Sequence, residues 1–492
     1  MKQNKFMRFM TSRALILTLQ VVASGVLLYF VYLTKLLPVK YFAILAAVLA
    51  VLVLLFWIII QTGKKKIVEG KTSKRTIISK VLSLIVSIVL VIGSTFAARG
   101  NTFLNNVQTT TQKYAINVIV LKDGTASLDG LKGVNFGRSY EKEKATLNKA
   151  LAQMEETIDT QKYTTYDTYS QLADALYNKE VDAIVVGTQY KSMLELNHEG
   201  FDEETRIVKT YEFDKKAKSV TTAVTDVTEK PFNVYVTGID TYGSVSTVSR
   251  SDVNLIVTVN PKTKQILMTS IPRDCEIELH KNGKMDKLTH TGIYGVEETI
   301  STIEDFLDLD VNYYARTNFS GITNIIDALG GVTVDSDYEF TTRHGNYHIV
   351  KGENELDGDK GLCFVRERYN LPSGDYDRGR NQQKLLKAML NKAMSPKIIT
   401  NFQRILTAIE GCFETNMSSD EIKSLINMQL DDNAEWDVFN VQLDGKGYMT
   451  DQTYSMHGTS IYVMKPYASY VKKITKLIDR VEDGDKITEN DV

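Results

Sequence analysis

Two acidic and two basic residues fall where predicted strands end or begin. Asp240 follows one predicted strand, Arg250 and Asp252 open the next, and Arg273 follows a third. Ligands of open α/β sheets gather where strands end and loops begin. Mg²⁺, or Mn²⁺ in its place, binds one or two carboxylates together with phosphate oxygens, and the planar arginine fork matches phosphate geometry. Asp240 and Asp252 are therefore candidate metal ligands beside a polyphosphate, and ordinary salt bridges at strand ends are the alternative.

A second basic cluster begins in the stretch FVRERY (364–369). Arg366 and Arg368 alternate along a predicted strand, so both side chains would point to the same face of a sheet. Two arginines on one face of a strand are costly unless they meet anions. The pair therefore predicts a phosphate contact.

Two more arginines, Arg378 and Arg380, lie at the start of a helix predicted over 380–394, with Gln382 and Gln383 one turn in. A helix N-terminus favours anions, whereas basic side chains are ordinarily preferred at the other end. Arginines at this end indicate a ligand. The alternative is a salt-bridge network with the acidic residues of the same stretch, which are Glu367, Asp375 and Asp377.

If both clusters share one pocket, they describe a metal-assisted pyrophosphate site. The metal and the arginines would stabilise the charge that develops on phosphate oxygens as a P–O bond breaks, which is the main contribution of proteins to phosphoryl transfer. One carboxylate could also act as general base on an attacking hydroxyl.

The elements that must position these residues read as a sheet covered by helices. Strands are predicted over 232–238, 253–260 and 265–271, the last two joined by a polar turn that suits a hairpin. Helices are predicted over 295–307 and 319–329, the second capped by Asn318 or Ser320. A strand follows over 332–334, and helix, strand and a further helix over 467–479 complete the C-terminal part.

The charge of the 492-residue chain is distributed unevenly. The formal net charge is −2, but the first 80 residues carry +12 and the remainder carries −14. A basic head and an acidic body suggest two compartments rather than a nucleic-acid binder. An acidic body must bind phosphate through a local arginine cluster. The three cysteines, Cys275, Cys363 and Cys412, form neither a disulfide framework nor a zinc pattern and are expected to be buried thiols.

Three uncharged apolar stretches over 14–33, 41–61 and 81–98 each approach the length that crosses a bilayer. Basic residues concentrate before the first stretch and between the second and third, which predicts that these segments face the cytoplasm. Everything after about residue 99 then lies outside the cell. One span with two buried core helices is the alternative, and a cleaved signal peptide would explain only one stretch.

The remaining chain divides into a polar linker over 100–112 and a small α/β unit over 113–225. Strands are predicted in this unit over 116–121, 181–186 and 207–211, with a helix over 140–158. The unit contains no acid/base pair, phosphate loop or metal spacing, and a spacer or partner-binding role is expected for it. A second domain spans 231–480.

Together the motifs closely resemble those of the LytR-CpsA-Psr family of cell-envelope glycopolymer transferases, above all its capsule-associated members. The resemblance is strong over 231–395 and weaker to about residue 475. The motifs are GIDTYG (238–243), SRSDVNLIVTVNPKTKQILMTSIPRD (249–274), DKLTHTGIYG (286–295), NFSGITNIIDALGGV (318–332), LDGDKGLCFVRERY (356–369) and DRGRNQQ (377–383). The stretch after Arg273 departs from the family, because Glu276 and Glu278 stand where relatives often carry a basic residue.

The resemblance implies an α/β/α catalytic domain with a central mixed sheet, behind a multi-pass membrane anchor and an accessory domain. It implies a polyprenyl lipid in an apolar pocket and Mg²⁺ at Asp240 and Asp252. It implies that a sugar hydroxyl of peptidoglycan attacks the carrier-linked phosphoryl group of a capsular or teichoic-acid-like polymer, with capsule synthesis or export machinery as a further partner. The residues implied to contact the head group are Arg250, Arg273, Arg366, Arg368, Arg378 and Gln382.

Three other functions remain open at this stage. A polyprenyl-pyrophosphate phosphatase would use the same site with water as nucleophile. A non-catalytic membrane scaffold or regulator of capsule assembly would have no need of both clusters. A DNA-binding role, suggested by the family's older naming, fits poorly with an acidic outer body. His290, in THTG (289–292), could be a proton shuttle, but a packing or hydrogen-bonding role is expected for it.

Overall fold

The structure is a computed structural model that describes residues 12–62, 74–106, 111–131, 135–139, 144–158, 162–194, 198, 200–216, 221–239, 245, 248–395, 404–405, 407–408 and 410–492. Contacts between residues group the chain into two compact units. The first unit lies within 1–107, 394–407 and 418–434, and the second within 108–393, 408–417 and 435–492.

The described helices and strands are numbered separately in chain order. The helices are α1 (Arg13–Thr34), α2 (Val39–Thr62), α3 (Lys74–Asn106), α4 (Lys144–Glu155), α5 (Tyr169–Tyr177), α6 (Lys191–Leu194), α7 (Phe201–Glu204), α8 (Leu288–Thr291), α9 (Val296–Leu307), α10 (Phe319–Ala328), α11 (Gly358–Arg366), α12 (Asp375–Ala393), α13 (Ser419–Asp432) and α14 (Ala468–Asp483). The strands are β1 (Thr111–Leu121), β2 (Asn135–Ser139), β3 (Lys162–Tyr166), β4 (Ala183–Gly187), β5 (Thr205–Lys216), β6 (Phe232–Ile239), β7 (Ser251–Asn260), β8 (Gln265–Ser270), β9 (Glu276–Glu278), β10 (Met285–Lys287), β11 (Tyr313–Thr317), β12 (Val332–Ser336), β13 (Phe340–Thr341), β14 (His348–Ile349), β15 (Gly352–Leu356), β16 (Phe413–Thr415), β17 (Asp437–Gln442), β18 (Gly445–Thr450) and β19 (Ile461–Pro466).

The first unit contains the three predicted spans as helices α1, α2 and α3, each long and apolar enough to cross a membrane. A buried hydrogen bond joins two of them, since Ser83 Oγ donates to Gln20 Oε1 at 2.6 Å. Such bonds connect helices where water is absent. Within the predicted linker over 100–112, α3 continues to Asn106 and β1 already begins at Thr111, and residues 107–110 lie outside the described residues. An established helix extends through polar residues at little cost, since each added residue gains one backbone hydrogen bond.

Helix α13 belongs to the same unit as the spans. It begins with a capping box, in which Ser418 and Glu421 each bond the backbone of the other. Its far end lies beside the connector between α1 and α2. Lys40 Nζ is 3.0 Å from Asp431 Oδ1, and Asn427 Nδ2 donates to the carbonyl of Lys35 at 2.7 Å. The connector and α13 therefore lie on the same side of any membrane that the spans cross.

The second unit begins with a five-stranded mixed sheet in the order β3-β2-β4-β1-β5. The three strands predicted in this region correspond to β1, β4 and β5, and the predicted helix corresponds to α4. Strands β2 and β3 and helix α5 escaped prediction, because short strands such as KYTTY (162–166) carry no apolar alternation.

A six-stranded mixed sheet in the order β16-β11-β6-β7-β8-β17 follows. Alternating residues of its strands feed two cores. On one face Tyr235, Ile256 and Leu267 pack with residues of α9 and α14, and on the other Val257 and Met268 pack with residues of α12. This confirms the predicted α/β/α arrangement with a central mixed sheet. The helix predicted over 319–329 is α10, and Asn318 caps it by accepting from the Gly321 N–H at 2.8 Å.

The two sheets of the second unit are joined by a shared apolar core. Tyr169, Tyr190 and Met193 from the first half pack in one cluster with Met456 and Ile461 from the C-terminal part. These side chains are at most 5% exposed. A spacer role does not need such a core, so the 113–225 region is a structural part of the larger domain.

Because this core is shared, we expect the second unit to unfold in one cooperative transition. Met456→Ala should lower its free energy of unfolding by about 2–5 kcal/mol, the usual cost of truncating a buried Met. The measurement is denaturant unfolding of the full-length protein in detergent. Met449→Ala removes the same atoms from a side chain that is 59% exposed and should have little effect. Two separate transitions, or equal effects of both variants, would contradict a shared core.

Candidate functional site

The antiparallel pairing of β6, β7 and β8 brings the first predicted cluster to one edge of the sheet. Gly238 pairs with Val253, and Leu255 pairs with Ser270, so the end of β6, the start of β7 and the end of β8 are neighbours. A cavity of about 810 Å³ opens at this edge, and we call it the central cavity. Asp240 lies outside the described residues, but Ile239, which precedes it, lines the cavity.

Asp252 is the acidic centre of this edge. Its Oδ1 accepts from Thr289 Oγ1 at 2.8 Å, while its Oδ2 lies 3.3 Å from Arg273 Nη1 and 3.9 Å from Arg250 Nη2. Burial alone would raise the pKa of Asp252, but the charges of Arg250, Arg273 and Arg378 and the bond from Thr289 hold it well below its usual range. The carboxylate is therefore ionised whenever the protein is folded near neutral pH.

Thr289 reaches Asp252 because a glycine lets its helix approach the strand. A Cβ on Gly292 would lie 2.5 Å from the Ser249 carbonyl oxygen and 2.7 Å from the Ser251 nitrogen, which is closer than side chains tolerate. The THTG motif thus combines a hydroxyl that orients Asp252 with the glycine that permits the contact.

The start of α12 supplies a second acidic anchor. Asp375 Oδ1 lies 2.6 Å from Arg378 Nη2 and 3.5 Å from Arg273 Nε. Burial and the neighbouring charge of Arg273 lower the pKa of Arg378. The two carboxylates Asp252 and Asp375 thus hold two guanidinium groups that would otherwise repel each other.

The prediction of a strand carrying Arg366 and Arg368 was wrong. Arg366 is the last residue of α11, which Asp357 caps by accepting from the Lys360 N–H at 2.9 Å. Arg368 lies in the loop beyond it. The cap and the burial of one face of the helix outweigh the short alternation of FVRER, which is too brief to specify a strand.

The loop after α11 is held by a carboxylate that was expected only as a salt-bridge partner. Glu367 accepts from the backbone N–H groups of Arg343, Arg368, Tyr369 and Asn370, at 2.5 to 3.1 Å. Burial would raise the pKa of Glu367, and these bonds lower it. Because four backbone N–H groups bond this carboxylate, it fixes the loop. Arg366 and Arg368 both line the cavity, although they lie in a helix and a loop rather than in a strand.

The residues predicted in the second cluster separate into two groups. Arg366, Arg368, Arg378 and Gln382 line the central cavity. Arg366 lies over the Phe319 ring at 4.1 Å. In the other group, Arg380 pairs with Asp377, and Gln383 donates to the carbonyls of Met268 and Val441. Helix α12 begins at Asp375, five residues before the predicted start, and this places Arg378 within its first turns.

Other residues also line the cavity. Lys287, a further phosphate-contact candidate in the sequence, has its Nζ 2.8 Å from Oδ1 of Asp274, a candidate for positioning the metal or the arginines. Arg343 and His344 enter from a loop whose composition carries no motif. Among the described lining residues seven are basic and three acidic, so the cavity favours an anion.

Apolar side chains also line the cavity. They include Phe319 and Ile322 of α10, Leu362 and Val365 of α11, and Val253 of the sheet. The shared core reaches the rim through two of its members, Met193 and Ile461, and the β18–β19 hairpin adds Met449 and Tyr462. The cavity therefore combines basic and apolar lining residues.

The described residues could hold a divalent cation only if the substrate supplied the remaining ligands. They contain no group of three His, Cys, Asp or Glu side chains that could cage a metal. Asp252 is an ionised, largely buried carboxylate next to a phosphate-sized basic site. This matches Mg²⁺, which is often held by one or two carboxylates and completed by phosphate and water oxygens.

Three helices long and apolar enough to span a membrane, together with an α/β/α domain whose cavity is lined by basic and apolar side chains, define a membrane-anchored α/β/α protein with a cavity that favours anions. A model of the LytR_cpsA_psr family matches residues 194–470, more than half of the sequence. The chain belongs to this family of cell-envelope glycopolymer transferases.

Individual relatives agree with the family match. The chain is 33% identical over 247 residues to "Polyisoprenyl-teichoic acid--peptidoglycan teichoic acid transferase TagU" of Enterococcus faecalis, which covers 49% of this chain and 79% of that protein. The same name belongs to a Bacillus cereus protein, 34% identical over 225 residues, with 44% and 70% covered. The crystal structure of B. subtilis TagV shares 25% identity and a TM-score of 0.45, over 53% of this chain and 99% of that one. A model described as NMT1/THI5 like matches residues 94–231.

The lowered pKa of Asp252 predicts how its contribution to stability depends on pH. A carboxyl group with a depressed pKa stabilises the folded state above its unfolded pKa of about 3.9, and the effect is lost as pH falls through the folded pKa. Asp252→Asn should therefore lower the free energy of unfolding by about 3 kcal/mol at pH 7. This value is at the low end of the usual range for a broken buried ion pair, because Arg273 still pairs with Asp375. The difference from wild type should shrink below about pH 4.

Denaturant unfolding in the presence of a chelator, at pH 7 and at pH 3, measures this difference. Asp305→Asn, at an exposed carboxylate that pairs with His280, is the control. An Asp252→Asn effect that is absent at pH 7, or equally large at pH 3, would show that Asp252 does not hold the arginines in the way described.

Proposed function

We propose that this protein transfers a phosphate-linked glycopolymer, teichoic-acid-like or capsular, from a polyprenyl-pyrophosphate carrier to peptidoglycan at the cell surface. The observation that carries the proposal is that basic and apolar side chains together line the central cavity. A polyprenyl pyrophosphate likewise combines a charged head with a hydrocarbon chain. The names of the two relatives describe this type of transfer.

In the proposed mechanism, the arginines bind and orient the pyrophosphate. Arg273 and Arg378 are held by Asp252 and Asp375, so their donors are directed before substrate arrives. Arg368 enters from the loop that Glu367 fixes. Preorganised donors of this kind stabilise charge that develops in the transition state without a cost of reorganisation.

The reaction itself is the replacement of one P–O bond by another. A sugar hydroxyl of the wall attacks the phosphorus that bears the glycopolymer, the bond to the second phosphate breaks, and polyprenyl phosphate leaves with the electron pair. A divalent cation at Asp252, and at Asp240 as the sequence predicts, would neutralise charge on the pyrophosphate.

The test is a transfer assay with full-length protein in proteoliposomes, carrier-linked polymer, Mg²⁺ and peptidoglycan. Arg368→Gln should reduce transfer about 100-fold, the usual loss for one transition-state donor, and Asp252→Ala and Arg273→Ala should reduce it at least as much. Arg480→Gln is the matched control, because Arg480 pairs with Asp491 away from the cavity. Teichoic-acid and capsular polymers, tested separately, distinguish the two substrates.

Two results would contradict the proposal. Release of polymer into solution without attachment to peptidoglycan would favour the phosphatase alternative. Full cell-wall attachment by Arg368→Gln, Asp252→Ala and Arg273→Ala would remove the site from the reaction and favour a scaffold.

We further propose that the catalytic domain lies outside the cell. The support is the position of α13 beside the α1–α2 connector, the segment with few basic residues. Of the two lysines of this connector, Lys40 pairs through its Nζ with Asp431 of α13, whereas Lys35 contributes its backbone carbonyl to Asn427. The ion pair gives Lys40 a local role in a loop that the charge rule places outside.

Alkaline phosphatase fused after Val492 tests this orientation, because the reporter is active only outside the cytoplasm. We expect an active fusion after Val492 and an inactive one after Thr62, the end of α2. The reverse pattern would place the site in the cytoplasm and overturn the proposal.

A further inference from the structure

A buried histidine–aspartate pair stands beside the phosphate cluster. Asp286, in β10, and His290, in α8, lie four residues apart in sequence, and His290 Nδ1 is 2.6 Å from Asp286 Oδ1. The imidazole lines the central cavity. Its other nitrogen, Nε2, has no hydrogen-bond partner among the described residues. One ring nitrogen is thus held by Asp286, and the residue borders the cavity in which a ligand would bind.

The aspartate is built to hold the imidazole in one orientation. Asp286 is fully buried. It accepts from the Lys287 N–H at 2.8 Å and from the N–H and hydroxyl of Ser455 at 2.9 and 2.5 Å. Burial would raise the pKa of Asp286, but the charge and hydrogen bond of His290 and the bonds from Ser455 and Lys287 lower it.

An ionised carboxylate bonded to Nδ1 selects the tautomer with the proton on Nδ1. Nε2 is then a hydrogen-bond acceptor with an orienting partner behind it, which is the arrangement by which a histidine takes a proton from a hydroxyl. Tyr294 extends the network, since its hydroxyl lies 2.8 Å from Ser455 Oγ. A histidine used only for packing would not need this buried support.

The pair is directly connected to the phosphate site. Thr289, the neighbour of His290 in α8, donates to Asp252 at 2.8 Å. Asp252 itself is a poor base, because the charges of nearby arginines and a hydrogen bond from Thr289 favour its ionised form. A group that accepts a proton must come from elsewhere in the cavity.

We propose that His290 is the general base of the transfer reaction, oriented by Asp286; the inference rests on the proposed function. As the sugar oxygen bonds to phosphorus, its proton passes to His290 Nε2, and polyprenyl phosphate leaves with the electrons of the broken P–O bond. The protonated imidazole then returns its proton to solvent or to the departing phosphate, which restores the starting state.

The experiment compares His290→Gln with His280→Gln in full-length protein. His280 Nδ1 pairs with Asp305 Oδ2 at 2.7 Å, so it is also an aspartate-bonded histidine. Its side chain is 53% exposed, and it does not line the cavity. Transfer to peptidoglycan at saturating acceptor is measured beside equilibrium binding of the polyprenyl-pyrophosphate carrier and the melting temperature.

We expect His290→Gln to reduce the transfer rate about 100-fold or more, in the range for loss of a general base, with unchanged carrier binding and melting temperature. His280→Gln should transfer at the wild-type rate. In His290→Ala, added imidazole should restore at least part of the lost rate, and a purely structural role would not respond to imidazole.

If the wild-type protein transfers polymer and the rate of His290→Gln is within about threefold of the wild-type rate, the role of His290 is overturned and the proposed function stands. A parallel loss of carrier binding and transfer, with no rescue of His290→Ala by imidazole, would also overturn it in favour of a structural role. Absence of transfer by the wild-type protein itself would overturn the proposed function, and the base with it.

Discussion

The cost of gathering arginines in a confined cavity is the constraint on which the site depends. Guanidinium groups repel each other and lose solvation when buried. Asp252 offsets this at the sheet edge, where it faces Arg250 and Arg273. Asp375 does the same at the start of α12, for Arg273 and Arg378. These ion pairs keep the arginine donors in place without substrate. Basic groups still outnumber acidic groups in the cavity, and this excess attracts an anion.

The order of strands follows from the same need. Asp252 and Arg273 are twenty-one residues apart, and only the antiparallel pairing of β7 with β8 makes them neighbours. Helix α8 then packs so closely on the start of β7 that Gly292 has no room for a side chain. This contact brings Thr289 and His290 to the cavity together. One local packing thus supplies an orienting hydroxyl for the carboxylate and an imidazole for the proposed proton transfer.

The region before the catalytic sheet (113–225) packs with the catalytic domain, although its sequence contains no motif that indicates this. Its own motifs indicate no chemistry, and the NMT1/THI5-like match concerns a different family from the catalytic domain. Its helix α5 nevertheless contributes to a core with Met456 and Ile461, and Met193 lines the central cavity. The segment between β18 and β19 is thereby packed against this region.

The sequence by itself determined the features that depend on local patterns or on motifs. Uncharged apolar runs specify the three spans because their length matches the bilayer. Alternating apolar residues specify β6, β7 and β8, and the ordered motifs identified the family and the charged residues of the cavity. Sequence failed at Arg366 and Arg368, where a cap at Asp357 and the burial of one helix face produced a helix in place of a strand. Only the tertiary structure decided that Arg378 lines the cavity, whereas Arg380 pairs with Asp377 and Gln383 bonds the strands of the sheet. It also decided that Glu367 holds a loop and that Asp286 lies behind His290. Each of these depends on contacts between segments that are distant in sequence or on the direction of a side chain.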